Sequence, residues 1–228
     1  MRERESGYEA LPLPEHNISP AMHAFLEYKL LESEQRLAEL EDENKWLRYD
    51  QLTGVLVAKV IRVELDRRVE RAYETGEPFA LIFGDVDNMK GVNTVYGYTG
   101  GDSIISAVGR ACRRDDIVGR AGGDELWWLA DLKPREDYFV ARAPHFVNPT
   151  PEYQAALMAR SFERRANEEI KKLNFGNIRT GFSVGISVYH KGDTAKDLIS
   201  RANQDMVNKK EYNKSLRASQ AQHPSSQI

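Results

Sequence analysis

Two short stretches constrain this chain more than any other: LIFGDVDNMKGVN at residues 81–93 and RAGGDELWWL at 120–129. Phe79 to Phe83 is a continuous apolar run bounded by Gly84, so it reads as a buried strand that delivers Asp85, Val86 and Asp87 at its end. In the second stretch Gly122 and Gly123 form a dipeptide at which a hairpin can turn, and glycine lets backbone approach a phosphate closely. Asp124 and Glu125 follow at once. Carboxylates carried by strands beside tight turns are the oxygen donors that a hard divalent cation takes. Taken singly, each stretch is more readily an ordinary polar loop or a plain hairpin. A metal-dependent nucleotide site needs the two to meet.

The 228 residues allow one well-buried domain plus an extension. A net charge of −3 gives no general attraction toward nucleic acid or an anionic membrane, so the expected ligand is small and its phosphate contacts local. The single cysteine, Cys112, excludes an internal disulfide and reads as a buried small hydrophobe. No cleavable signal pattern or bilayer-length apolar run stands out, and the expectation is a cytoplasmic protein.

Residues 1–19 read as a flexible tail. Ser19 followed by Pro20 suits a helix entry, and residues 20–49, rich in Leu, Glu, Lys and Arg and free of glycine, read as one long helix. A heptad sets His23, Leu30, Leu37 and Asn44 at a, with Leu26, Ser33, Leu40 and Leu47 at d. That pattern suits a parallel two-stranded coiled coil of roughly 45 Å; the alternative is a single amphipathic helix packed on its own domain. Residues 50–215 then read as one domain and 216–228 as a second tail.

Within that domain Val57, Ile61, Leu65, Val69 and Tyr73 recur at helical spacing until Gly76. Thr94 to Arg114 reads as a further helix, and Ile117 and Val118 start a strand that pairs across the glycines with Leu126 to Leu129. Residues 131–150, with Pro134, Pro144 and Pro149, read as an irregular loop. Met158, Phe162, Ala166, Ile170 and Leu173 mark another helix, 180–189 a strand, and Thr194 to Tyr212 a last helix. The alternation suits an α+β fold with a mostly antiparallel sheet flanked by helices.

The segments DVDNMKGVNTVYGYTGGD and RRDDIVGRAGGDEL resemble the GGDEF family of diguanylate cyclases, whose pattern runs DxDxFKxxNDxxGHxxGD, then RxxD, then GGDEF at the same separations. The likeness extends from DQLTGV at 50–55 to about Lys214. It implies a palm-like domain that condenses two GTP molecules into cyclic di-GMP and two pyrophosphates, with two protomers of a homodimer facing each other. Asp85, Asp124 and the carbonyl of Val86 match the ligands of a Mg²⁺ or Mn²⁺ ion. Asp124, with Glu125 as a second acid, is then the candidate for taking the proton of the 3′ hydroxyl. Asn93 and Asp102 match the guanine contacts, and a carboxylate at Asp102 favours guanine over adenine. Lys90, Gly122, Gly123, Lys210 and Lys214 match the phosphate side. Arg113 and Asp116 match the RxxD of a site at which the product, cyclic di-GMP, inhibits.

The chain departs from the pattern at Met89, Thr94, Tyr98 and Leu126, at Asn203 and Val207 of the last helix, and at Leu56 and Val57 after the LTG. None of these is an implied metal or guanine contact. Two other readings stay open: a catalytically silent GGDEF module that binds GTP or cyclic di-GMP and signals through its coiled coil, and a cyclase making another cyclic dinucleotide, against which Asp102 argues.

Overall fold

The computed structural model of the chain describes residues 19–132 and 150–222. All but the last residue of the tail expected over 1–19, most of the loop expected at 131–150 and residues 223–228 lie outside the described residues. The chain divides into two units, 1–44 and 45–228.

Helix α1 runs from Pro20 to Arg48. Its entry is capped as the sequence suggests, with the Ser19 hydroxyl accepting from the Met22 amide at 3.2 Å. Lys29–Glu32 and Arg36–Glu39 pair along its surface. The leucines of the heptad, Leu26, Leu30, Leu37, Leu40 and Leu47, are all exposed.

The second unit is built on a five-stranded sheet: β1 (Leu56–Val57), β2 (Phe79–Asp87), β3 (Ile117–Arg120), β4 (Glu125–Asp131) and β5 (Gly181–Val188), ordered β1-β3-β4-β2-β5. All neighbours are antiparallel except β1 and β3. Four helices cover it: α2 (Ala58–Thr75), α3 (Met89–Ala111), α4 (Pro151–Lys171) and α5 (Ala195–Gln222). The central β2 is apolar without alternation because both its faces are buried. Leu81 and Phe83 pack with Ile61, Leu65, Leu198, Ala202 and Met206 of α2 and α5, whereas Ile82 and Val86 pack with residues of α3 and α4 such as Val108 and Phe162. The strand period of two therefore carries Asp85 to the α2 and α5 side, directly opposite Glu125 on β4 and Ser183 on β5.

The expected hairpin forms, with Ile117 opposite Leu129 and Arg120 opposite Leu126. Helix α2 ends at Gly76, whose φ of 72° closes it. Val57, expected in that helix, lies instead on β1, a two-residue strand too short to leave a periodic signature. Helix α3 starts at Met89, earlier than expected, and is broken at Gly97 (φ 68°, ψ −178°), a conformation open essentially only to glycine. Helix α5 continues to Gln222, past the boundary at 215 drawn from the sequence, through a segment with neither glycine nor proline. Cys112 donates to the Val108 carbonyl, and burial pushes its thiol up to about 12, an inert group as expected.

Candidate nucleotide and metal site

The site lies where β2 ends, between the β3–β4 turn and α5. Asp85 and Asp124 are close enough for the charge of Asp124 to act on Asp85. Burial raises the pKa of Asp85 most; the hydrogen bond and charge of Lys210 oppose this, while Asp124 and Asp87 add to the rise. Glu125 is likewise raised, by burial first and then by Asp85 and Asp124, with Arg62 opposing. Four carboxylates, Asp85, Asp87, Asp124 and Glu125, thus crowd one end of the sheet. Lys210, reaching over from α5, bonds Asp85 and lies 3.0 Å from Asp87. Its own pKa is raised: burial works to lower it, but the two carboxylates outweigh that.

A divalent cation fits this arrangement on charge. The neighbouring carboxylates that raise the pKa of Asp85 favour a positive partner, and the ammonium of Lys210 already sits against Asp85 and Asp87 as a stand-in cation. Among the described residues no three His, Cys, Asp or Glu side chains form a metal cluster. The expected set asks for less, two carboxylates and the carbonyl of Val86, whose side chain is anchored in the core on the opposite face.

Asn93 and Asp102 stand nine positions apart on α3. At about 100° per residue an unbroken helix would turn them to opposite sides. The break at Gly97 changes their relation, and both line one cavity of about 290 Å³ with Met89, Tyr98, Gly101, Ile105, Arg120, Gly123 and Asp124. The Asn93 Oδ1 atom is buried and, among the described residues, has no hydrogen-bond partner. A Cβ on Gly101 would lie 2.3 Å from that oxygen, so only glycine leaves it room. The cavity is therefore polar and recessed at Asn93, apolar at Met89 and Ile105, and reaches Asp124 and Gly123 at the β3–β4 turn.

The remaining expected residues are more dispersed. Lys90 is exposed at the start of α3 and Lys214 is exposed on α5. Gly122 is crowded by the Glu125 carboxylate, 2.7 Å from where a Cβ would stand, whereas Gly123 is open. Arg113 and Asp116 line a separate cavity of about 640 Å³ with Arg48, Tyr49, Arg114 and Cys112. Asp116 accepts from the Arg113 amide at 3.2 Å and lies 3.8 Å from the Arg165 guanidinium of α4.

Several residues that shape the site escaped the sequence reading. Arg120 donates from Nη2 to the Gly123 carbonyl at 2.6 Å and from Nη1 to Asp50 at 3.1 Å, fastening the turn to the start of the domain. Asp50 also accepts from the Thr53 amide and hydroxyl. Burial raises its pKa, but Thr53 and Arg120 outweigh that and hold it below the usual carboxylate range. Arg62 of α2 donates to the Ala121 carbonyl at 3.2 Å and lies 4.9 Å over the Trp127 ring. Asp87 accepts from Ser183 at 2.9 Å, which fixes it beside Lys210. The one signal in the sequence was an Arg immediately before the Ala-Gly-Gly and an Asp opening DQLTGV.

Two acidic strand ends, a glycine turn and a recessed polar cavity thus come together at one end of a mostly antiparallel sheet. Residues 47–215 match the family model described as "Diguanylate cyclase, GGDEF domain", and the chain belongs to the GGDEF family. It is 27% identical over 169 residues to the probable diguanylate cyclase DgcJ of Escherichia coli K12, a match covering 72% of this chain and 30% of DgcJ. It is 28% identical over 189 residues to the diguanylate cyclase VdcA of Vibrio cholerae, covering 78% of this chain and 50% of VdcA. The chain thus spans half or less of the length of these curated relatives. Among solved structures, the coiled coil and GGDEF domain of DgcB from Caulobacter crescentus, in complex with c-di-GMP, superposes with a TM-score of 0.64 at 21% identity, over 84% of this chain and 95% of that one. That likeness confirms the α+β GGDEF fold with a long N-terminal helix.

Proposed function

We propose that the chain is an active diguanylate cyclase that condenses two GTP molecules into cyclic di-GMP with release of two pyrophosphates. The observation that carries this reading is the meeting of Asp85, Asp124 and Glu125 beside a cavity that offers the unpartnered Asn93 oxygen. Asn93 and Asp102 hold the guanine edge, where a carboxylate accepts from the base N1 and N2 hydrogens and leaves adenine mismatched. Asp85, Asp124 and the Val86 carbonyl hold Mg²⁺ or Mn²⁺, which when bound neutralises phosphate charge and activates the attacking hydroxyl. Lys210 leaves its carboxylates for the triphosphate, joined by Lys90 and Lys214, while the Gly122–Gly123 backbone lies along it. Asp124 takes the proton of the 3′ hydroxyl, with Glu125 as the second acid beside it. Arg113 and Asp116 bind cyclic di-GMP as an inhibitor, the guanidinium on phosphate and the carboxylate on the guanine edge.

One domain holds one GTP, so the reaction needs two copies facing each other, and α1 is the device that pairs them. Its exposed heptad leucines support a parallel coiled coil between two copies of the chain. Among the described residues no helix is long and apolar enough to cross a membrane.

Incubating the purified chain with GTP, ATP or both in the presence of Mg²⁺ and identifying the products by chromatography and mass tests the proposal. Cyclic di-GMP from GTP alone is expected. A mixed dinucleotide would identify a different cyclase, and saturable cyclic di-GMP binding without any product would identify a silent receptor.

A further inference from the structure

The rim of the Asn93 and Asp102 cavity carries one group that the proposed chemistry does not use. Tyr98 lines the cavity yet is 85% exposed, more than any other large hydrophobic side chain among the described residues. Its neighbours Val95 and Tyr96 are exposed as well, but Tyr96 has a partner, its ring lying 5.1 Å edge-on to Phe175. Tyr98 has no ring partner among the described residues. Gly97, immediately before it, adopts φ 68° and ψ −178°, so the backbone turns out of the first half of α3 just where the ring is presented. That conformation is costly for any other residue, and here it holds an aromatic face over water at the mouth of a polar pocket.

A large ring left in water next to a recess gains most from a flat partner that enters the recess. The recess is chemically suited to one: it offers a buried, unpartnered carbonyl oxygen at Asn93 and an exposed carboxylate at Asp102, which engage the edge of a base, and its sides at Met89 and Ile105 are apolar. A planar heterocycle held by its edge at Asn93 and Asp102 leaves its faces to be covered by whatever stands at the rim. We propose that Tyr98 is a positioning residue for the nucleotide, its ring stacking on the base bound in this cavity. The inference rests on the guanine reading of the pocket and deepens it: the base is held by its edge on α3 and by its face on Tyr98. Stacking recognises any base, so Tyr98 contributes affinity, and the choice of guanine stays with Asn93 and Asp102.

The test is isothermal titration calorimetry on the full chain with GTP and with inorganic triphosphate, both with Mg²⁺, for the wild type, Tyr98→Ala and Tyr98→Phe. Thermal melting of each variant accompanies it. Tyr98→Ala is expected to weaken GTP about tenfold, the scale of one base–aromatic stack, while triphosphate affinity stays within about twofold. Tyr98→Phe should bind like the wild type, and melting should shift by no more than about 2 °C because the ring packs on little protein. Unchanged GTP affinity in Tyr98→Ala overturns the stack, as does equal loss for GTP and triphosphate, a Tyr98→Phe that behaves like Tyr98→Ala, or a large drop in melting temperature. A wild type that binds no GTP overturns the nucleotide reading of the pocket, and the stack with it.

Discussion

At the scale of single residues the site is a balance of charge. Asp85 and Glu125 are pushed toward protonation by burial and by the carboxylates around them, and Lys210 relieves part of that stress for Asp85. Asp124→Asn keeps the shape of the turn and removes one negative charge from the set. It is expected to lower turnover of GTP by about 10²-fold or more while GTP binding persists, as calorimetry and product formation would show; unchanged turnover would remove Asp124 from the chemistry. Arg113→Ala leaves that set untouched, because Arg113 lines the other cavity. It is expected to relieve inhibition by cyclic di-GMP, and inhibition curves that coincide with the wild type would count against the RxxD site. Asp85, Asp124 and Glu125 stand out by type and spacing, whereas Lys210 and Arg113 were reached through the resemblance to the family. Arg120 and Arg62 were not legible, because the pairing of Arg120 with Asp50 and of Arg62 with the Ala121 carbonyl joins residues far apart in sequence.

Among the elements, α3 and the β5–α5 joint carry the clearest consequences. Gly97→Ala forces a side chain into a region closed to it, at a cost of about 1–3 kcal/mol. Melting should fall accordingly, and GTP affinity should fall further than the wild-type fold fraction explains, because Asn93 and Asp102 share the cavity only across this break. Full GTP affinity in a destabilised variant would show that the break is a matter of packing alone. At the joint, Asp193 accepts from both Nη atoms of Arg201, at 2.8 and 2.5 Å, and from the His190 amide at 2.7 Å. The Arg201 hydrogen bond, against a smaller burial effect, holds its carboxyl below the usual range. The folded form therefore binds that proton less readily than the unfolded chain. The stabilisation is fully present above the ordinary carboxylate pKa and is lost as pH falls through that range toward the lowered value. Urea midpoints followed from about pH 6 to about pH 3 should fall more steeply for the wild type than for Asp193→Asn, with a difference near neutrality of less than about 1 kcal/mol. Parallel curves would mean that the pair contributes nothing net.

For the molecule as a whole, the proposed pairing of two chains through α1 is the claim to test. Removing residues 1–49 is expected to turn a dimer into a monomer in light scattering and to abolish cyclic di-GMP formation at micromolar protein; an unaltered dimer would exclude the helix as the main interface. The heptad in α1, the apolar run of β2, the glycine turn and its acids, the helix entry at Ser19 and the stop at Gly76 were written into local sequence, because each depends only on residue type and on a period of 2, 3.5 or about 3.6. Tertiary structure decided the rest. It set Val57 on a strand, broke α3 at Gly97 so that two residues on opposite helix faces share one cavity, and brought Lys210 to the carboxylates of β2. It also tied the turn to Asp50 through Arg120. Those outcomes depend on which elements pack together, and sheet pairing joins segments whose separation along the chain leaves no periodic trace.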